Sequence, residues 1–243
     1  MTTDTSKHAE PSTSRAFDRL VTDVASGLSY RKRAATETLA AARVLLLHGV
    51  GGNETNLEAL ARMIDPRVEV LLVRGPLTFG PSQYGWFEVS FAGGSPVIDA
   101  AQADRSRTLL IDLVHGLRED PGPTPVPTVI AGFSQGGILS ASVGLSSPRD
   151  IAGFAILSGR ILPEIAPHMA SRDLLRTVSA FVAHGTYDAK LPVQWAERSD
   201  ALLAAHDLRL TSRRYAAGHE IPTEMASDFI GWLDVTLSLA SGA

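Results

Sequence analysis

The chain has 243 residues, 44% of them hydrophobic and 20% charged, with a formal net charge of -4 and no cysteine. Such a composition allows a substantial buried core, and the negative balance argues against nucleic acid or an anionic membrane surface as partner. The lack of cysteine removes disulfides, thiolate nucleophiles and cysteine-based metal sites.

Residues 1–14 are rich in Thr, Ser, Lys and Glu and read as a disordered tail, leaving residues 15–243 as one domain. No apolar stretch of a secretory signal stands there, and no run approaches the roughly 20 apolar residues of a membrane span. A soluble, cytoplasmic protein is expected. Phe17 to Arg33 reads as two short strands forming an antiparallel edge, with Arg31, Lys32 and Arg33 as a solvated face. Arg43 to His48 is a continuous apolar run, as in a strand buried on both faces of a parallel sheet. After the glycine-rich loop Gly49-Val50-Gly51-Gly52, Asn53 or Thr55 can cap a helix through Leu57, Leu60 and Met63.

Val68 to Val73 is the next strand, followed by a long loop to Pro96 carrying Trp86, Phe87 and Phe91. Val97 to Arg118 reads as an amphipathic helix with Ile98, Leu109, Leu113 and Leu117 on similar faces. Pro121 to Pro127 is a stiff connector. The apolar, β-branched run after Pro127 is a strand reaching Gly132, then a helix runs to about Ser147, and Ile151 to Leu157 is another strand. Ile161 to Arg176 is a short excursion, Val178 to His184 a strand, and Pro192 opens a helix through Trp195 and Leu203. Leu208 to Tyr215 is the last strand, and a closing helix follows Ile221. Strands and helices alternate throughout, which predicts an α/β fold with a mainly parallel sheet.

The most informative segment is Gly132-Phe133-Ser134-Gln135-Gly136, where an apolar strand meets a helix. A Gly-x-Ser-x-Gly turn in that setting holds the serine in a strained backbone conformation with its hydroxyl exposed. A serine hydroxyl is a poor nucleophile; it needs a base, a carboxylate to orient the base, and donors for a developing oxyanion. Of seven histidines, His219 lies just past the last strand and before the last helix, and His48 and His184 close strands before glycines, which suits turns. Asp188 follows a strand and a glycine turn between Ser134 and His219, although an Asp there also suits a helix cap; Asp150 and Asp173 do not follow strand ends. The order serine, acid, histidine matches a known hydrolase arrangement. Backbone N–H groups of Gln135 and of Val50 are candidates for the oxyanion hole. The loop at residues 49–52 lacks the patterns of a nucleotide site, and no metal-ligand motif is present, so neither cofactor nor metal is expected.

Leu46-Leu47-His48-Gly49-Val50-Gly51-Gly52, Trp86-Phe87-Glu88, Gly132 to Gly137, His184 to Asp188 with Pro192-Val193, and Gly218-His219-Glu220 together resemble the phospholipase/carboxylesterase family. The resemblance runs from about residue 40 to the end. It implies an α/β-hydrolase fold with helices on both faces of the sheet, a Ser134, Asp188, His219 triad, and oxyanion roles for Val50 and Gln135. Glu88 stands where the family often has Asp, and the N-terminal extension is longer than in compact members.

The function so implied is a serine carboxylesterase acting on short- to medium-chain acyl esters through an acyl-enzyme. Acyl thioesters or lysophospholipids are alternative substrates, and a non-catalytic binding module is the alternative of another class. The expected partner is a small-molecule ester, without nucleic acid or membrane insertion; pairing as a homodimer is left open. The excursion at residues 161–176 is too short for a large lid. Ile161, Leu162, Ile165 and Met169, with Trp86 and Phe91, are expected to wall a shallow apolar pocket.

Overall fold

In a computed structural model, which describes residues 16–37, 39–90, 97–118 and 126–239, one long sheet carries the chain. Its strands are β1 (Val21–Thr22), β2 (Ser29–Arg33), β3 (Ala42–Leu47), β4 (Val68–Arg74), β9 (Thr128–Phe133), β10 (Gly153–Leu157), β11 (Ser179–Gly185) and β12 (Arg209–Tyr215). Two small hairpins, β5 (Leu77–Gly80) with β6 (Gln83–Gly85) and β7 (Val89–Ser90) with β8 (Val97–Ile98), occupy what the sequence reads as one long loop. The order across the large sheet is β1-β2-β4-β3-β9-β10-β11-β12. Pairing is parallel from β4 to β12 and antiparallel only at β1–β2 and β2–β4.

The apolar runs sort to the two sheet faces with the strand period of two. Leu45, Leu47, Leu71, Val73 and Ile130 join one core, whereas Val44, Leu46, Val70, Leu72, Val129 and Ala131 join the other. The first core is covered by α2 (Ala100–Arg118), α3 (Gln135–Ser146) and α5 (Gln194–Ala205), through Leu110, Leu113, Ile138, Leu139 and Leu203. The second is covered by α1 (Glu58–Ala61) and α6 (Thr223–Thr236), through Leu60, Met225, Phe229 and Leu233. Burial of each such large side chain contributes about 1.5–3 kcal/mol. A short α4 (Arg172–Leu175) and a 3-10 turn at Pro163–His168 make up the excursion between β10 and β11, with no large lid.

Two expectations are corrected. The helix after β8 begins at Ala100, so Ile98 lies in a strand, where it packs against the core that holds Leu110 and Leu113 and also lines a cleft described below. The basic run on β2 is not a solvated edge, because β2 lies inside the sheet between β1 and β4. Arg33 is buried and donates to the carbonyls of Ala61, Ile64, Asp65 and Val68, while Arg31 pairs with Glu54 and Lys32 with Glu69. Each cation meets carbonyl or carboxylate oxygens on a neighbouring element. The tail at residues 1–14 lies outside the described residues.

Candidate active site

The parallel strands end on one side of the sheet, which is where the turns of this topology place reactive groups. Between β9 and α3 the chain reverses at Ser134, whose φ of 54° and ψ of -115° lie in a region that L-residues rarely occupy. Such a conformation costs on the order of 1–3 kcal/mol and persists only when the surroundings impose it. The surroundings here are explicit. A Cβ on Gly132 would collide with the backbone of Gly136, and one on Gly136 with the carbonyls of Leu47 and His48. Ser134 N–H donates to the Leu157 carbonyl at 2.8 Å.

The hydroxyl of Ser134 lies 2.9 Å from His219 Nε2, and His219 Nδ1 lies 2.7 Å from Asp188 Oδ2. A carboxylate only accepts, so Nδ1 carries the proton and Nε2 is left to accept from the serine. The loops bearing the acid and the imidazole are fastened to each other. Thr186 N–H donates to the Tyr215 carbonyl at 2.8 Å and Tyr187 N–H to the Ala217 carbonyl at 3.0 Å. A Cβ on Gly185 would strike the carbonyls of Ala217 and Gly218. The Phe133 ring packs on the imidazole with centroids 4.9 Å apart.

Asp188 is buried, which by itself pushes its carboxyl up. Amide donors outweigh this: Leu191 N–H at 2.8 Å and Lys190 N–H at 2.9 Å both reach Oδ1, and His219 reaches Oδ2. The net effect holds the carboxyl below its ordinary value, so it stays ionised beside the imidazole. His184, fully buried next to it, is pushed down by burial and is neutral. Its Nε2–H donates to the Leu191 carbonyl at 2.7 Å, fixing the turn that carries Asp188. His48 is likewise lowered by burial; its Nε2 accepts from Gly75 N–H at 2.9 Å and Nδ1–H donates to the Gly49 carbonyl at 2.7 Å. Both histidines hold turns, as the sequence reading has them.

Gln135 is the first residue of α3, where a backbone N–H has no carbonyl partner within its helix. Its side chain, whose role sequence reasoning missed, accepts from Trp86 N–H at 2.8 Å and donates to the Phe87 carbonyl at 2.7 Å. Gln135 thereby ties the elbow to the segment before β7. Val50 lies in the loop after β3, beside Gly49, and faces the same space as Ser134 and Gln135.

A cleft of about 420 Å³ opens over Ser134, walled by Phe87, Val89, Ile98, Ile138 and Leu191. A second lobe of about 390 Å³ shares Gly49, Val50, Phe133 and His219 and extends over Leu57, Glu220 and Ile221. The expected pocket wall is different from this one. Trp86 is wholly buried and donates from Nε1 to the His48 carbonyl at 2.9 Å. Ile161 and Leu162 are buried in the core against α2, α3 and α5, as is Ile165, with Met169 packed alongside. These side chains gain more by filling the sheet-to-helix interior than by facing the cleft. Phe91 lies outside the described residues. The apolar wall comes instead from Phe87, Val89 and Ile98, from Ile138 on α3 and from Leu191.

The rival acids and histidines lie elsewhere, His115 with Arg118 on Asp150 and Asp173 with Arg176 at the surface. Among the described residues no group of three His, Asp or Glu side chains is placed to hold a metal ion, and no helix is long and apolar enough to cross a membrane.

The model of the phospholipase/carboxylesterase family matches residues 34–237, well over half of the chain. The chain belongs to that family. Acyl-protein thioesterase 1 of Emericella nidulans is 25% identical over 229 residues, covering 83% of this chain and 92% of its own. Among solved structures, a carboxylesterase from Mesorhizobium loti superposes with a TM-score of 0.72 at 24% identity, over 88% of this chain and 97% of that one. Acyl-protein thioesterase 2 of Zea mays superposes with a TM-score of 0.69 at 19% identity, over 86% and 98%. The fold is the α/β-hydrolase fold in a single domain, and this phospholipase/carboxylesterase family chain is a hydrolase of the serine type.

Proposed function

We propose that this family member is a serine carboxylesterase that cleaves small acyl esters of short to medium chain length through an acyl-enzyme at Ser134. The observation that carries the reading is the unbroken hydrogen-bond relay from Ser134 through His219 to Asp188 at the floor of an apolar cleft. Ser134 Oγ attacks the acyl carbon while His219 Nε2 takes its proton, and Asp188 stabilises the resulting imidazolium. The backbone N–H groups of Gln135 and Val50 receive the oxyanion. Collapse returns the proton from His219 to the departing alkoxide. Water, deprotonated by the same imidazole, then attacks the acyl carbon and releases the acid. A cleft of about 420 Å³ is within the range of small-ligand sites and suits a soluble ester rather than a lipid surface.

A thioester reading has its own support, since the curated relatives that match the chain include acyl-protein thioesterase 1. The acyl-enzyme and its hydrolysis are the same in both cases; only the leaving atom differs. Rates on esters and thioesters of graded acyl length separate them. The carboxylesterase reading expects kcat/KM to peak at short to medium oxygen esters. A peak on long-chain thioesters overturns it in favour of thioesterase activity.

A further inference from the structure

The cleft over Ser134 carries a charge that the ester reading does not use. Among its lining side chains the charged ones, apart from the imidazole, are Arg160 and Lys190, both cationic, in a chain whose net charge is -4. Glu220 belongs to the other lobe, beyond His219. Among the described residues Arg160 differs from most arginines in having no hydrogen-bonded carboxylate or carbonyl: its Nε is buried without an acceptor, and Glu164 acts on it only through space. Arg31, Arg33, Arg43, Arg67 and Arg74, by contrast, all donate to oxygen acceptors.

The unpaired guanidinium is nonetheless held in place. Gly159 packs so closely on the Ser134 backbone that its Cβ would stand 2.9 Å from the Ser134 carbonyl oxygen. On the other side, Ile161 N–H donates to Ser199 Oγ at 3.1 Å, pinning the chain to α5. The same helix supplies the Trp195 ring, 4.3 Å beneath the Arg160 guanidinium carbon. Stacking on an aromatic face orients a guanidinium while leaving its edge donors for a planar anion. A half-buried cation without a hydrogen-bonded anion is costly, and a ligand that supplies one recovers part of the loss.

We infer that Arg160, assisted by Lys190, selects esters carrying a carboxylate, which the guanidinium engages while Ser134 attacks the ester carbon. This deepens the proposed esterase reading and rests on it. Its chemistry is that of half-esters of dicarboxylic acids, or of esters whose alcohol part bears an acid.

The test compares kcat/KM on matched pairs at low salt: p-nitrophenyl hydrogen glutarate against its neutral methyl ester, and the acetate ester of an alcohol bearing a carboxylate against the acetate ester of the corresponding amide. Wild-type protein should prefer the anionic member of at least one pair by roughly tenfold or more, the factor expected for a hydrogen bond to a charged group. Arg160→Met, which keeps the stem on Trp195, should bring that ratio close to one, and Arg160→Lys should keep part of it. Added salt should shrink the wild-type preference. Turnover of the neutral esters with no anionic preference in either pair overturns this inference and leaves the esterase reading standing. An anionic preference that survives in a folded Arg160→Met, checked by its thermal transition, overturns the assignment to Arg160. Failure to turn over any member of either pair overturns the esterase reading itself.

Discussion

Replacing Asp188 by Asn changes one atom and probes the whole relay. Oδ1 of Asp188 accepts from two backbone N–H groups, those of Lys190 and Leu191. An asparagine must therefore keep its oxygen on that side, because an amide NH2 there would face two donors. Its NH2 is then forced toward His219, at the 2.7 Å position now held by Oδ2. Facing a donor, Nδ1 has to accept, the ring proton moves to Nε2, and Nε2 can no longer take the serine proton. The lost orientation and the lost negative charge together cost about 10³ to 10⁴ in kcat/KM, equivalent to about 4–5.5 kcal/mol of transition-state stabilisation. Steady-state hydrolysis of a p-nitrophenyl ester measures it, with the thermal transition as a check on folding. A folded Asp188→Asn within tenfold of wild type refutes the tautomer argument and removes Asp188 from the relay.

Glu54 offers a pH test away from the cleft. Burial alone pushes its carboxyl up, but hydrogen bonds from Arg74 and Arg31 prevail and lower it to about 2 from the ordinary 4.5. A depressed folded value stabilises above the unfolded one and is lost as pH falls from about 4.5 through about 2. Glu54→Gln should therefore destabilise by about 1–3 kcal/mol near neutrality, with the gap in melting temperature closing below pH 4.5; a gap unchanged down to pH 3 contradicts the ion-pair account. Gly136→Ala should destabilise by about 1–3 kcal/mol or more and abolish turnover, because its Cβ meets the Leu47 and His48 carbonyls; wild-type activity in that variant would falsify the close-approach argument. With only the 3-10 turn and α4 between β10 and β11, the rate on one ester should pass smoothly through its solubility limit; a sharp rise when droplets form indicates interfacial activation instead.

What was legible in the sequence follows from where backbone geometry dictates residue type. Gly132 and Gly136 announce a strand and helix too close for a Cβ, so the apex at Ser134 could be found without coordinates. Asp188 and His219 were legible because each follows a strand in the right order, and the structure joins them in one relay with Ser134. The buried strand at Arg43 to His48 was readable as a continuous apolar run, which the structure divides between the two faces of the sheet. The pocket wall was not, since an aromatic such as Trp86 suits core or cleft equally, and only the hairpins turn Val89 and Ile98 to the cleft while Trp86 goes inward. The partners of Arg31 and Lys32 were hidden for a related reason: Glu54 and Glu69 come from other elements, and no local pattern joins them. Arg160 carries no sequence signal at all, because what sets it apart is that its buried Nε finds no acceptor among the described residues.

The account stands on Ser134 being an activated nucleophile, and labelling tests that directly. Wild-type protein is treated with an organophosphonate probe, and the adduct is followed by intact mass and located by peptide mapping. One equivalent should be taken up on the peptide containing Ser134, and folded Ser134→Ala and Asp188→Asn variants should take up none and far less, respectively. A wild-type protein that stays unlabelled, or a label that persists in Ser134→Ala, contradicts the account.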